Sequence, residues 1–209
     1  MDIELISKVT LITLYCFFSV IRIGYYRRTR KSGYRTVIEE KRRYSIWLSL
    51  FICYEVCTFF IFIFLPQALD WGALLLPSWT RILGTLLGAL ALAWFLWIHQ
   101  ALGHNHSTNL RIKDAQTPVT EDPYHWVRHP MYTAFFVLHI SAFFLTANWF
   151  IGLTWTAGLT AIILLRVRRE EEMLTSRFGK SYNLYMGKTG RSIPRVNGFY
   201  SASQKKKAA

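Results

Sequence analysis

Between Met131 and Leu165 the chain runs 35 residues without an Asp, Glu, Lys or Arg. That one stretch constrains the fold more than any other feature. A bilayer core of about 30 Å is crossed by about 20 apolar helical residues. The run is too long for one crossing and suits a tight hairpin of two. Its polar break is Thr146-Ala147-Asn148-Trp149, where the two helices are expected to part. Three further blocks have the length of a crossing: Leu5 to Tyr25, Tyr44 to Leu65, and Ile82 to Leu102. A shorter apolar segment, Ala68 to Leu76, is expected to lie at the interface or to re-enter. Charged residues make up 18% of the chain, against about a quarter in soluble domains. A soluble chain of this size has no polar shell large enough to cover five such helices. The expected fold class is therefore all-α, an integral membrane protein with five transmembrane helices.

Cation placement orients the bundle. Lys and Arg number 25, and 23 of them fall in three segments: residues 22–43, 103–130 and 166–209. Alternating crossings put those three segments on one side, which the positive-inside rule makes cytoplasmic. The N-terminus is then outside. The formal net charge of +13 is read as a preference for the anionic leaflet, and no nucleic-acid partner is expected. The expected setting is a multi-pass protein with a cytoplasmic site, in the cell membrane of a prokaryote or the endoplasmic reticulum of a eukaryote.

The chain divides by composition. Residues 1–102 form a three-helix membrane portion with little that suggests chemistry. Residues 103–196 hold two helices, most of the His residues, the Pro-bounded turns and the acidic cluster. Residues 197–209 are a basic tail. The first chemical group is Tyr124 to Tyr132, which contains Arg128-His129-Pro130. Proline suits the first position of a helix. The next amides, of Met131 and Tyr132, then lack intrahelical partners and offer an anion site helped by the helix dipole. An ordinary basic helix start explains the same residues equally well. The second group is Arg166-Val-Arg168-Arg169-Glu170-Glu171-Glu172, where the last helix leaves the membrane. Arg166 and Glu170 are four apart and share a face. Leu174, Phe178 and Tyr182 continue that stripe, and Gly179 is placed to end or bend the helix.

Glu55 lies near the middle of the second helix, where an ionisable group normally faces protein or water. A structural partner is expected for it, such as a Trp or Tyr of a neighbouring helix. His99 and His139 fall in apolar blocks as core residues. His125 and His129 are four apart with His104 and His106 on the same side, but Pro130 interrupts the helix that would hold a metal pair, and no metal is expected. Gly-rich nucleotide loops, Gly-x-Ser-x-Gly and His-Glu-x-x-His are missing from the sequence.

Tyr124-x-x-x-Arg128-His129-Pro130-x-Tyr132 stands before the hairpin, and Arg166-x-x-x-Glu170-Glu171 after it. Phe178-Gly179-x-x-Tyr182-x-x-Tyr185 and Ile193-Pro194 follow. Together these resemble the isoprenylcysteine carboxyl methyltransferase family, whose C-terminal signature membrane phospholipid methyltransferases share. The resemblance covers residues 103–196. It implies S-adenosyl-L-methionine as cofactor, held in a cytoplasmic pocket by Gln116, Thr117, Pro118, Val119, Tyr124, His129, Pro130, Met131, Tyr132 and Glu170. It implies Arg166 as the residue that orients the substrate, with Arg166 and Glu170 as the catalytic pair. The acceptor implied is the α-carboxylate of an S-isoprenylated cysteine, as a small molecule or a protein C-terminus reached from the lipid bilayer. Gln116 stands where many relatives have His, and Ala134 where the motif often continues with Gly.

The chemistry suits these residues. Glu170 would accept the cofactor's ammonium, and the amides of Met131 and Tyr132, beside His129, its carboxylate. A carboxylate acceptor, with a reference pKa near 3.5, is already ionised at neutral pH. It needs a bidentate grip from Arg166 and no general base. An amine acceptor would be repelled by Arg166. That ranks phospholipid N-methylation second, with a sterol-reductase-like enzyme using a nicotinamide cofactor as a further alternative.

Overall fold

A computed structural model of the chain describes residues 3–30, 36–39, 42–102, 111–113 and 119–195. Its long helices are α1 (Ile3–Arg30), α2 (Arg42–Phe64), α3 (Trp79–Leu102), α5 (Pro130–Thr146) and α6 (Trp149–Phe178). Short helices α4 (Pro123–Trp126) and α7 (Lys180–Lys188) flank the hairpin, and a 3₁₀ turn covers Pro66–Gly72. One antiparallel ribbon departs from the helical plan: β1 (Thr36–Glu39) pairs with β2 (Arg111–Lys113). The ribbon ties two basic loops together, a link that hydropathy does not carry.

Among the described residues four helices are long and apolar enough to cross a membrane: Ile3–Arg28, Ile46–Phe64, Trp79–Leu102 and Trp149–Phe178. The fifth, α5, has 17 residues, which reach about 25 Å. Apolar side chains are exposed along the bundle, among them Val20, Leu50, Phe60, Leu86 and Leu164. A surface of that kind is at rest in lipid, and the protein is an integral membrane protein. The Ala68–Leu76 segment is tied back onto the hairpin: Leu74 N–H donates to Ala147 O at 2.7 Å, and Asn148 Nδ2 to Leu69 O at 2.8 Å.

The hairpin divides where the polar break predicts. Ala147 takes a left-handed conformation after α5, and the Asn148 side chain caps α6 by accepting from Ile151 N at 3.1 Å. Side-chain capping of this type typically contributes about 1 kcal/mol. α3 packs closely on α5 through Gly84 and Gly88. A Cβ at Gly84 would stand 3.1 Å from Ser141 O, and one at Gly88 2.7 Å from Ser141 Oγ. Ser141 Oγ donates to Gly84 O at 2.7 Å. Small residues four apart let membrane helices approach in this way.

The buried core has two parts. In the first, Leu11, Leu14, Phe62, Leu69, Ala142, Leu145, Ile151 and Trp155 pack together from α1, α2, the 3₁₀ turn, α5 and α6. In the second, Phe95, Ile98 and Ala134 are covered by Phe18, Ile21, Trp94, Tyr124 and Met131. The second cluster abuts the end of the bundle where α5 begins, and it forms the floor beneath the polar groups described next.

Candidate functional site

α6 has 30 residues, about 45 Å, which exceeds a hydrocarbon core of about 30 Å by about three turns. The helix ends at Gly179, whose φ of +54° a side chain would strain. The chain there reverses into α7. Tyr182, the end of the apolar stripe, is buried against the last turns of α6, and Tyr185 Oη donates to Tyr124 O in α4. Beyond α7 the backbone runs back beside residues 127–129. Arg128 N–H donates to Gly190 O at 2.8 Å and His129 N–H to Arg191 O at 2.9 Å. Thr133 Oγ1 donates to Ser192 O at 3.1 Å. Gly190 is required by space, since a Cβ would lie 1.9 Å from Ile193 O.

This clasp brings two carboxylates of α6 against the start of α5. Glu171 is saturated. Its Oε1 accepts from Arg128 Nε at 3.0 Å and Nη2 at 2.8 Å, from His129 Nε2 at 3.2 Å and from Arg191 Nε at 3.2 Å. Its Oε2 accepts from Arg191 Nη2. Arg128 Nη1 also caps the end of α7, donating to Met186 O at 3.0 Å and to Thr189 O. Glu171 is thus the tie that holds the α4–α5 junction, α6 and the segment after α7 in one piece.

Glu170 is different. Its Oε2 accepts from Tyr132 Oη at 3.0 Å and pairs with His129 Nδ1 at 3.5 Å. Among the described residues these are the partners of its carboxylate, and Oε1 keeps its capacity for another donor. His129 is 4% exposed and lies between the two glutamates. Burial opposes its charge, but the Glu170 charge and the hydrogen bonds to Glu170 and Glu171 outweigh that and raise its pKa to about 9. The imidazolium form is therefore the one present at neutral pH. The Tyr124 hydroxyl is pushed well above its ordinary value, first by burial and then by the charges of Glu170 and Tyr185. Arg166, one helical turn from Glu170, is 8% exposed and acts on it electrostatically.

The structure gathers Tyr124, His129, Pro130, Met131, Tyr132, Arg166 and Glu170 at one end of the bundle. Pro130 opens α5, and its carbonyl accepts from Trp94 Nε1 at 3.2 Å. Val119 is half-buried nearby in sequence. Gln116, Thr117 and Pro118 lie outside the described residues, as do His104, His106 and the tail 197–209. One expected detail is not formed. The Tyr132 amide does not face an anion, because it donates to His129 O at 3.2 Å; the loop before Pro130 folds back tightly enough to satisfy it. His129 likewise turns both ring nitrogens to glutamates. Glu55 also has a different partner from the Trp or Tyr expected: His139, with Nε2 to Oε1 at 2.6 Å. No group of three His, Cys, Asp or Glu suited to a metal occurs among the described residues.

Sequence reasoning missed Glu171 as the tie, Arg191 as its partner and Trp94 as the prop for α5. Arg191 lies 20 residues from Glu171 in the chain with a helix between, so no local spacing signals the pair. Glu171 stands in the same acidic run as Glu170, and spacing from Arg166 selects its neighbour.

Fold and cluster together define a class: a helical integral membrane protein whose paired carboxylates meet a basic, aromatic helix start at one end of the bundle. The comparisons with known proteins are more particular. Residues 82–176 match the isoprenylcysteine carboxyl methyltransferase (ICMT) family. The protein-S-isoprenylcysteine O-methyltransferase of Schizosaccharomyces pombe is 35% identical over 78 residues, 37% of this chain and 33% of that protein. Its namesake from Xenopus laevis is 30% identical over 94 residues, 45% of this chain and 33% of that protein. These stretches span about a third of the length of the curated relatives. A solved structure of the eukaryotic intramembrane Ras methyltransferase ICMT shares the fold, with a TM-score of 0.55 at 21% identity over 90% of this chain and 69% of that one. The resemblance read from the motifs is borne out. It begins at residue 82, inside α3, earlier than the motifs themselves begin.

Proposed function

We propose that the protein is an S-adenosyl-L-methionine-dependent methyltransferase that esterifies the α-carboxylate of an S-isoprenylated cysteine. One observation carries the reading: Glu170, with an oxygen left for a further donor, stands one turn from buried Arg166 in the segment matching the family. A carboxylate able to accept a further donor and a buried guanidinium are thereby held on one face of α6.

S-adenosyl-L-methionine, when bound, supplies an electrophilic methyl group on a sulfonium. The groups that would hold it fit its chemistry. Glu170 would accept the ammonium, its Oε2 being fixed by Tyr132 and His129. Tyr124, with its ring packed on the second core cluster and its hydroxyl in the field of Glu170, supplies an aromatic wall suited to a cation. Val119, Pro130 and Met131 shape the adjoining surface; Gln116, Thr117 and Pro118 enter on the resemblance. Arg166 would hold and orient the acceptor carboxylate. Positioning supplies most of the rate in such a transfer, and no residue has to remove a proton.

The prenyl chain stays in the bilayer while the charged end meets the site at the cytoplasmic rim. In this reading α5 is the fifth crossing, and residues 103–196 form the catalytic portion beside a three-helix membrane portion, 1–102. Titration of the detergent-solubilised protein with S-adenosylhomocysteine in a calorimeter tests the cofactor; an absence of heat defeats the reading. Radiolabelled methyl transfer to farnesyl-cysteine or phosphatidylethanolamine tests the acceptor. Base-labile label on the first is expected, and stable label on the second alone would select phospholipid methylation instead.

A further inference from the structure

Ile193 is 79% exposed, yet the segment that carries it is fixed at both ends. Residues 190–192 run beside 127–133 in the same direction. Val127 and Gly190 form a parallel bridge, His129 N–H donates to Arg191 O at 2.9 Å, and Thr133 Oγ1 donates to Ser192 O at 3.1 Å. Thr133 is in the first turn of α5, so the segment follows that helix into the bundle instead of leaving it. The chain then returns: Arg195 Nη1 donates to Gly187 O, in the last turn of α7, at 2.6 Å. Ile193 and Pro194, both exposed, form the tip of the turn. The cations on either side are drawn away from it, Arg191 to Glu171 and Arg195 to α7. The tip is left apolar.

The depth of the tip is set by its neighbours. The Pro130 carbonyl, at the start of α5, accepts from Trp94 Nε1 at 3.2 Å. Trp94 stands eight residues before the end of α3, about 12 Å, and α3 has no Asp, Glu, Lys or Arg from Ile82 to Leu102. The first turn of α5 therefore lies below two turns of apolar helix. Trp97, with its ring 5.3 Å from that of Trp94, and Trp126 are both exposed near this level, as tryptophans are at a membrane boundary. One turn beyond Thr133, Phe136 is exposed on the lipid-facing side of α5. The tip is thus continuous with the surface that lipid covers. We propose that the Ile193-Pro194 turn is a membrane-docking element, inserted into the boundary between headgroups and acyl chains of the leaflet at this end of the bundle. The flanking arginines stay at headgroup level, where anionic lipid complements them. Because Arg191 belongs to both the turn and the Glu171 tie, lipid braces the clasp from outside.

The test reads the surroundings of the tip in the full chain, held in nanodiscs of phosphatidylcholine and phosphatidylglycerol. Cys16, Cys53 and Cys57, all exposed, are first replaced by Ala. Ile193→Cys then carries a nitrobenzoxadiazole label, with Asn183→Cys, on the exposed face of α7, as the aqueous reference. The label at 193 should emit at shorter wavelength than the label at 183. Lipids bearing a nitroxide near the headgroup should remove most of its emission and little of the reference's. Pro194→Cys repeats the measurement if Ile193→Cys does not give a cooperative melt. Water-like emission at 193 and 194, quenched no more than at 183, overturns the proposal. So does short-wavelength emission that lipid quenchers do not reduce, which means that protein covers the tip. Quenching that arises only after farnesyl-cysteine is added assigns the tip to the acceptor and overturns it as well.

Discussion

Two histidine–glutamate sites in this protein use the same side chains under different conditions. At the end of the bundle His129 stands between Glu170 and Glu171, with Arg128 and Arg191 completing the charge. In the middle, among the described residues, His139 meets one carboxylate, Glu55, at 2.6 Å, and returns Nδ1 to Phe135 O of its own helix at 2.8 Å. The first site joins separate stretches of chain near water; the second joins two helices inside the apolar interior. A carboxylate that binds several cations from distant segments organises a fold, whereas one that binds a single neighbour aligns a pair of helices. Glu171→Ala should break this contrast most severely. It leaves Arg128 buried with its counter-charge removed and takes one of the two carboxylates from His129, which costs about 3–5 kcal/mol. Thermal unfolding in detergent should fall strongly, and S-adenosylhomocysteine binding should be lost with it.

Glu170→Ala should separate binding from folding. This carboxylate has fewer partners than Glu171, so the melting temperature should drop much less. Affinity for S-adenosylhomocysteine should weaken by about 10- to 100-fold, as for loss of one charge-assisted hydrogen bond. Equal loss of stability in the two variants would show that both glutamates are structural. The pH dependence sharpens the same point. His129 has its pKa raised to about 9, above its ordinary 6.5, so its charge stabilises the fold fully below the ordinary value. That contribution is lost as pH rises through about 9. The melting temperature should therefore fall progressively from about pH 6.5 to about pH 9 and level off above, whereas binding to the folded protein should hold to about pH 8 and decline through about 9. A binding decline centred near the ordinary value, with a melting temperature that does not change between about pH 6.5 and about 9, would place His129 outside the influence of both glutamates.

The sequence made the membrane helices legible because each is a long block that excludes charge. The split at Asn148 was legible too, since a polar residue in an apolar run has one evident use there, a cap. Gly179 was legible for a similar reason. The ribbon between β1 and β2 was not, because it pairs segments some seventy residues apart and strand pairing at that range leaves no local period. Within the site, Arg166 and Glu170 stood out by their spacing on one helix. Glu171 needed the return of residues 190–191 to reveal its role, and the Tyr132 amide needed the backbone path before Pro130.

The mildest of these effects belongs to the inner pair. Glu55→Gln keeps a hydrogen-bonding oxygen at the same length and removes the charge. His139 can still bond to it, so the cost should be about 1 kcal/mol, the net value of an ordinary hydrogen bond. The melting temperature should fall slightly, and S-adenosylhomocysteine affinity should match the parent, because the contacts to Glu170 and Glu171 are separated from His139 by about two turns or more of α5. Glu55→Ala leaves His139 Nε2 without its partner in an apolar surrounding and should cost more, by the desolvation of that group. If the glutamine variant instead loses cofactor binding, the two histidine–glutamate sites are coupled along α5, and the division between an aligning pair and an organising cluster fails.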